Sequence, residues 1–455
     1  MQIPHSPPPI NSLPELITKY HANDAYRIFT LPIDTCDEKG RYLHWDKLRH
    51  ISPPYGLQSE VYWLLIKMAR KKLAKPLPFQ DKAGRPLSYC LPDTLLKDIL
   101  WISENATGSI AADARITDPK TKGTYLINSL IEEAISSSQL EGAATTRRVA
   151  KELIRTSRPP KNNSERMIVN NFRAMQFIRE FKSEKLTKSI VFELHKILTE
   201  GTFDAEKENK AGEFRTNEDN IIVGSVDDTV LHTPPNAEEL DGRLQKICDF
   251  ANKVGEDENT TFIPPVIRAI IVHYMIGYDH PFFDGNGRTA RALFYWVMAK
   301  EGAWLMEYIS LSRILKKAPA QYVRAYLYAE TDDNDVTYFI AHQLEAIRKA
   351  IIDLHEYLVQ RTEQLKAAAD ALSNSELAGK LNHRQLAVLK NAIENPGAEY
   401  TVKSHSLSHN VTLQTARTDL KALAEKYHIL KRYILGKQEV YVAPRDIKDR
   451  ISDGE

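Results

Sequence analysis

Residues 280–291, HPFFDGNGRTAR, constrain this chain more than any other stretch. An apolar run from Pro265 to Tyr278 precedes them, with Val266, Ile267, Ile270, Ile271, Tyr274, Met275 and Tyr278 at three- and four-residue steps, the pattern of a helix with one buried stripe. Phe282 reads as core too. A second helical pattern starts near Arg288, so the two helices must be joined by the tight turn Asp284-Gly285-Asn286-Gly287. Glycine permits positive φ and lets another group approach the backbone where a Cβ would stand in the way. Amides at a helix start then form an anion nest, helped by the positive end of the dipole. Arg288 and Arg291 lie three apart and are expected to project back over that nest. Their guanidinium forks match phosphate oxygens in pairs. Asp284 is a hard oxygen ligand of the kind Mg²⁺ takes beside a polyphosphate, and His280 is a proton acceptor near neutral pH.

At 455 residues the chain exceeds what one core usually organises, and two or three domains are expected. With 42% hydrophobic and 27% charged residues it has the composition of a soluble protein. The formal net charge of +1 excludes a general nucleic-acid coat, so any such preference is local. Cys36, Cys90 and Cys248 are far apart with no CxxC pair, against a disulfide framework or a cysteine zinc site. The N-terminus MQIPHSPPPI has no apolar core for a secretory signal, and no run is long enough to span a bilayer. These features predict a cytoplasmic protein without a membrane partner.

Residues 1–105 read as an α-helical N-terminal region, including EVYWLLIKMARKKLAK, whose basic end Arg70, Lys71, Lys72 and Lys75 reads as a solvated helix C-terminus. Residues 106–370 continue in helical period, interrupted at 215–234 by a β-branched stretch around Gly224 and Asp227-Asp228 that predicts a hairpin. Residues 376–455 change style. Two helical segments, NHRQLAVLKNAI and TVKSHSLSHN, precede the threonine-capped helix TLQTARTDLKALAEKY and two strands around Leu435-Gly436-Lys437, the order of a winged helix. The fold class is therefore mainly α, with a short β-hairpin and a C-terminal α+β module.

HPFFDGNGRTAR matches, at each defining position, the Fic motif HPFxx-GNGR-xxR, and the chain resembles the Fic family over about residues 120–345. AGEFR (211–215), TPP (233–235) and the apolar helix before the motif belong to the same resemblance. Fic proteins are α-helical enzymes, most of which transfer AMP from ATP to a side-chain hydroxyl of a target protein. The resemblance implies that His280 deprotonates the incoming Ser, Thr or Tyr hydroxyl, which attacks the α-phosphorus as pyrophosphate leaves. It implies that Asp284 holds Mg²⁺, that Gly285, Asn286 and Gly287 bind the α- and β-phosphates with Arg288, and that Arg291 meets the γ-phosphate. Thr289 and Ala290 fall within the same nucleotide-binding stretch.

Upstream, SSSQLEGAATT places Ser137 before Glu141-Gly142, which resembles the inhibitory Fic motif [ST]xxxE[GN] on a helix near 124–142. By that resemblance Glu141 pairs with Arg291 and blocks the γ-phosphate in cis, and some relatives use this glutamate to remove AMP. NIIVGS (220–225) resembles the Fic flap, with Ile221, Ile222, Val223 and Gly224 lining its nucleotide side. Where relatives often carry Tyr-Tyr, this chain has Gln321-Tyr322, so Tyr322 takes the adenosine contact, and Ala329 stands where an asparagine is usual. His195 and His273 read as hydrogen-bonded core histidines, and His405 with His409 lacks a third metal ligand.

The last module carries 13 Lys/Arg against 9 Asp/Glu within 380–455. Gln414, Thr415, Arg417 and Thr418 would face a DNA groove, with Lys431, Arg432 and Lys437 near phosphates. Winged helices also dock proteins and form homodimers, so both uses stand. Three functions are open at this stage: a self-inhibited, Mg²⁺-dependent protein adenylyltransferase, a DNA-binding regulator with a nucleotide-sensing core, and a transferase of another phosphate-containing group.

Overall fold

Helical periodicity carries through to most of the molecule. The computed structural model describes residues 2–18, 27–107, 119–156, 158–224, 229–253, 262–373, 377–394, 397–435 and 438–447, which divide into two compact units, residues 1–352 and 353–455. In chain order the first unit contains α1 (Ser59–Leu73), β1 (Lys75–Gln80), β2 (Pro86–Tyr89), α2 (Asp93–Thr107), α3 (Pro119–Leu140), α4 (Asn163–Glu180) and α5 (Lys188–Thr199). Then follow β3 (Val223–Gly224), β4 (Val230–His232), α6 (Leu240–Asn252), α7 (Pro265–Asp279), α8 (Asn286–Lys300) and α9 (Pro319–Thr331). Proline opens α7 and α9 at the position where its missing N–H costs nothing.

The pair α7 and α8 forms the centre of this unit, with α8 also packed on α4 and α5, and α3 laid along α4. A single buried stripe was expected for α7, yet every residue except Pro265 and Gly277 is buried. A helix apolar all round belongs in the middle of a core rather than on its surface. Each fully enclosed side chain such as Ile267, Ile270 or Ile276 contributes about 1.5–3 kcal/mol relative to exposure. Gly277 is needed for close packing: a Cβ there would overlap the hydroxyl of Tyr326 on α9. The antiparallel hairpin β3–β4 pairs Val223 with His232 and Gly224 with Val230, and Asp227-Asp228 lie outside the described residues.

The N-terminal segment departs from the helical expectation. β1 and β2 form an antiparallel hairpin, with Leu77 and Phe79 buried at alternate positions. Pro76 and Pro78 disfavour a helix there, and the Asp81 carboxylate accepts the amides of Ala83 and Arg85 to close the turn. Arg70, expected to be solvated, is buried. It donates to the carbonyls of Thr35 and Leu43 and to the Tyr338 hydroxyl at 2.7–3.0 Å, with its guanidinium 3.6 Å from the Tyr42 ring centroid. One helical turn earlier, buried Lys67 meets Asp332 at 2.5 Å, and Asp332 also accepts from Tyr338. Lys71 and Lys72 remain exposed.

In the second unit Leu389, Ala392, Leu420, Leu423, Ile429, Tyr441 and Ile447 form a separate core. It joins α-helices His383–Glu394, Val402–His409 and Leu413–Lys421 to a three-stranded antiparallel sheet, in which Gln438–Val442 lies between Glu399–Thr401 and Lys431–Leu435. The third helix was expected to continue through Tyr427 but changes to a π turn over Ala422–Lys426. Thr401 and Thr412 cap the second and third helices. The turn residues Gly436 and Lys437 lie outside the described residues.

Removing one partner of a buried ion pair leaves the other charge without compensation. Asp332→Ala should therefore lower stability by about 3–5 kcal/mol in urea unfolding, and a loss under about 1 kcal/mol would contradict the placement of Lys67.

Candidate active site

The turn after α7 is built from backbone hydrogen bonds that leave its amides in place for an anion. His280 ends the helix in the left-handed region (φ 46°), a conformation that costs a non-glycine residue free energy and needs external support. Arg215 supplies it. Its Nε donates to the His280 carbonyl at 2.7 Å, its amide to Pro281, and Nη2 to Pro235, so AGEFR and TPP both meet at His280. Asn286 turns its side chain inward and brackets the turn, donating to the Phe282 carbonyl (2.8 Å) and accepting the Phe282 amide (2.9 Å). Gly285 has φ 83° and opens α8, whose first amides are left without helical partners. His195 accepts the Gly212 amide at Nδ1, so its Nε2–H donates to the Asp284 carbonyl at 2.8 Å.

The two arginines part company here. Arg291 is buried and donates from Nε to Ser137 Oγ (2.9 Å) and from Nη2 to the Ser137 carbonyl (3.1 Å) and Glu141 Oε1 (2.8 Å). Gly142, at φ 92°, closes the end of α3 so that Glu141 can reach the turn. That carboxylate presses against Gly287, where any Cβ would overlap Oε1. Arg288 was expected beside Arg291 but points inward, donating to the Leu198 carbonyl (3.0 Å) and Asp284 Oδ2 (3.1 Å). It reaches these because α5 ends beneath the turn, where the Leu198 carbonyl accepts from Arg288 as well as from Asn170 Nδ2 (3.5 Å). The Asp284 side chain is 54% exposed.

A cavity of about 380 Å³ opens above the turn, lined by Glu141, Gly287, Arg291 and His280 and by Val223, Gly224, Leu231 and His232 of the hairpin. Tyr322, Tyr326 and Glu330 of α9 complete it. Burial lowers the His280 pKa below 6.5, opposed by its bond to the Gly277 carbonyl and by Glu141. The ring donates from Nδ1 to Gly277 (3.2 Å), which leaves Nε2 as the acceptor. Burial pushes the Glu141 carboxyl up, but Arg291 and Arg288 outweigh it and hold the group below the usual carboxylate value. Burial, helped by Arg288, takes His195 to about 4, and burial, helped by Arg291 and His342, takes His273 well below 6.5, so both are neutral core rings, as the sequence suggested.

Comparison with known proteins matches residues 185–298, about a quarter of the chain, to the Fic/DOC family. The chain carries a Fic/DOC family domain. Protein adenylyltransferase fic-1 of Caenorhabditis elegans is 40% identical over 93 residues, 20% of this chain and 16% of that protein. Protein adenylyltransferase Fic of Drosophila willistoni is 33% identical over 131 residues, 28% of this chain and 23% of that protein. The chain thus spans under a quarter of the length of these curated relatives. Among solved structures, a Fic family protein from Desulfovibrio desulfuricans G20 superposes with a TM-score of 0.49 at 18% identity, over 80% of this chain and 98% of that one. Fic-1 from Caenorhabditis elegans superposes with a TM-score of 0.42 at 19% identity, over 57% and 70%.

Within and around the Fic domain the expected residues do not all converge. His280, Gly287, Arg291, Glu141, Val223, Gly224 and Tyr322 share the cavity. Ile221 and Ile222 do not line it: both precede the paired residues of β3, and Ile222 is 53% exposed. Thr289 and Ala290 are wholly buried, Thr289 donating back to the Gly285 carbonyl, so their side chains serve the helix. Tyr322 presents its ring, while its hydroxyl meets His273 at 2.7 Å. Arg215, His232, Tyr326 and Glu330 were given no role from sequence. The four-residue spacing of Tyr322, Tyr326 and Glu330 was the available signal for the last two.

Because the Glu141 carboxylate favours the charged form of His280, neutralising it isosterically removes an upward push. Glu141→Gln should therefore lower the His280 pKa further in a side-chain NMR titration, and a rise would contradict the geometry.

Proposed function

We propose that the chain is a protein adenylyltransferase that moves AMP from ATP to a hydroxyl side chain of a target protein and is inhibited in cis by Glu141. One observation carries the reading: a carboxylate is fixed on Arg291 and against Gly287, inside a cavity that also presents His280. An arginine that holds a carboxylate beside the open amides of a helix start is equally suited to a phosphate.

In this reading His280 Nε2, unprotonated at neutral pH because burial disfavours the imidazolium, takes the proton of the incoming hydroxyl. The hydroxyl oxygen bonds to the α-phosphorus as the bond to the β-phosphate bridging oxygen breaks, and pyrophosphate departs with that oxygen. The amides of Asn286 and Gly287 neutralise the inner phosphates, and Arg291 holds the outermost one once Glu141 withdraws. Arg288 acts on the phosphates only through the turn it braces. Asp284 suits Mg²⁺: its carboxylate is half exposed, and Oδ1 has no partner among the described residues. Beside a polyphosphate such an ion would take most of its other ligands from phosphate oxygens and water. Such an ion would supply charge neutralisation at the phosphates.

The hairpin β3–β4 would receive the target segment by strand addition. The C-terminal unit is read as a winged helix. Its Arg432 is engaged by Glu425 and Glu439 at 2.7 and 2.5 Å, and Glu439 lies 3.5 Å from Arg417, which favours protein docking over phosphate contact. The three cysteines are free and buried, in keeping with the cytoplasm, and no helix among the described residues is long and apolar enough to cross a membrane.

Incubation with α-labelled ATP tests the reading. Glu141→Gly should raise self-labelling by on the order of tenfold or more, and His280→Ala on that background should reduce it by about 10²–10⁴-fold. Labelling should hold steady at neutral pH and fall only as acid protonates His280, below 6.5. Equal labelling with and without His280 would defeat the proposal.

A further inference from the structure

The wall of the cavity formed by α9 changes character along its length. Tyr322, Tyr326 and Glu330 face the cavity at successive four-residue steps. Tyr322 stands at the Arg291 end, where its hydroxyl meets His273 and Arg291. Tyr326 lies over Gly277. Glu330 is eight residues beyond Tyr322, about 12 Å along the helix. Between the two ends the lining is apolar and aromatic, with Val323, Leu327 and Leu231 beside Tyr326. A slot of this kind fits a flat ring, with the anion-binding groups at one end and a single carboxylate at the other.

That carboxylate is held in place. His232 Nδ1 lies 2.7 Å from Glu330 Oε2, and His232 Nε2 lies 2.7 Å from the Tyr278 carbonyl. The imidazole also packs on the Tyr278 ring, with centroids 4.8 Å apart. One histidine therefore ties Glu330 to the end of α7, two residues before His280. The second oxygen, Oε1, has no hydrogen-bond partner among the described residues, and the Glu330 side chain is 23% exposed. An ionised carboxylate only accepts hydrogen bonds, so whatever faces it must donate.

We propose that Glu330 is the specificity-determining residue for the nucleotide base, accepting a hydrogen bond from the exocyclic amine of a 6-aminopurine. This rests on the adenylyl-transfer reading and adds to it the group that selects the base. A 6-oxo purine would set a carbonyl oxygen against the carboxylate, and a base without the amine would leave Oε1 without a donor from the ligand. Sites that hydrogen-bond a substrate amine discriminate against the analogue lacking it.

The test measures binding of ATP and of purine riboside 5′-triphosphate, which lacks only the 6-amine, by calorimetry. The full chain carries Glu141→Gly in all cases so that the phosphate end is open. With Glu330 present, ATP should bind about 10- to 100-fold more tightly than the analogue. Glu330→Ala should bring the ratio within about twofold by weakening ATP and sparing the analogue, a selective loss that general damage to the fold would not produce. Glu330→Gln keeps the volume beside His232 and should lower the ratio as well, which decides the matter if the alanine variant fails to fold. An unchanged ratio in the folded variants would overturn the assignment of Glu330 and leave the transferase reading standing. Failure of both nucleotides to bind with Glu330 in place would overturn both.

Discussion

Much of this site is organised by one ion pair, Glu141 with Arg291. An arginine buried this deeply would be costly without a counter-charge, because removing a guanidinium from water costs several kcal/mol after relaxation. The end of α3 supplies that counter-charge together with the Ser137 hydroxyl and carbonyl. Three partners on one side chain fix where α3 ends relative to α8, and the Gly142 turn makes that ending possible. Because Gly287 has no Cβ, the same carboxylate can lie directly on the helix start. In the proposed function a nucleotide must displace this contact, and the stabilising interaction of the empty site is then also its inhibitor.

A second layer of support surrounds His280. A left-handed histidine at a helix end is a position that surrounding structure must enforce. Arg215 enforces it from below through three carbonyls, and His232 ties the neighbouring Tyr278 carbonyl to the hairpin and to α9. The arrangement keeps an uncharged imidazole in a dry place with its acceptor nitrogen fixed by the Gly277 bond. Asn286, His195 and Arg288 serve the turn in the same way, through backbone bonds rather than toward the cavity. Fewer side chains of the motif face the cavity than the motif contains, and the remainder hold its amides in position.

What could be read from the sequence follows from how local the cause is. The glycine turn, the helical periods on either side and the threonine cap of the helix Leu413–Lys421 depend on residues a few positions apart. They stand as the pattern suggests. The Glu141–Arg291 contact, 150 residues apart in the chain, was accessible only through resemblance to a family. Arg288 illustrates the limit: helical spacing places it beside Arg291, but the carbonyl of Leu198, 90 residues away, draws it inward. Arg70 was misjudged for the same reason, since Tyr42, Thr35 and Tyr338 converge on it from distant segments. The β1–β2 hairpin was hidden because its prolines and alternation follow directly on a strong helical pattern.

Competition between Glu141 and the outermost phosphate is the central claim, and comparing ATP with ADP isolates it. Calorimetric titration of the native chain and of Glu141→Gly with each nucleotide in Mg²⁺ separates loss of the ion pair from general loosening of the site. If the carboxylate competes for Arg291, the substitution tightens ATP by about tenfold or more and changes ADP by less than about threefold. An equal gain for both nucleotides, or none for ATP, would contradict the account.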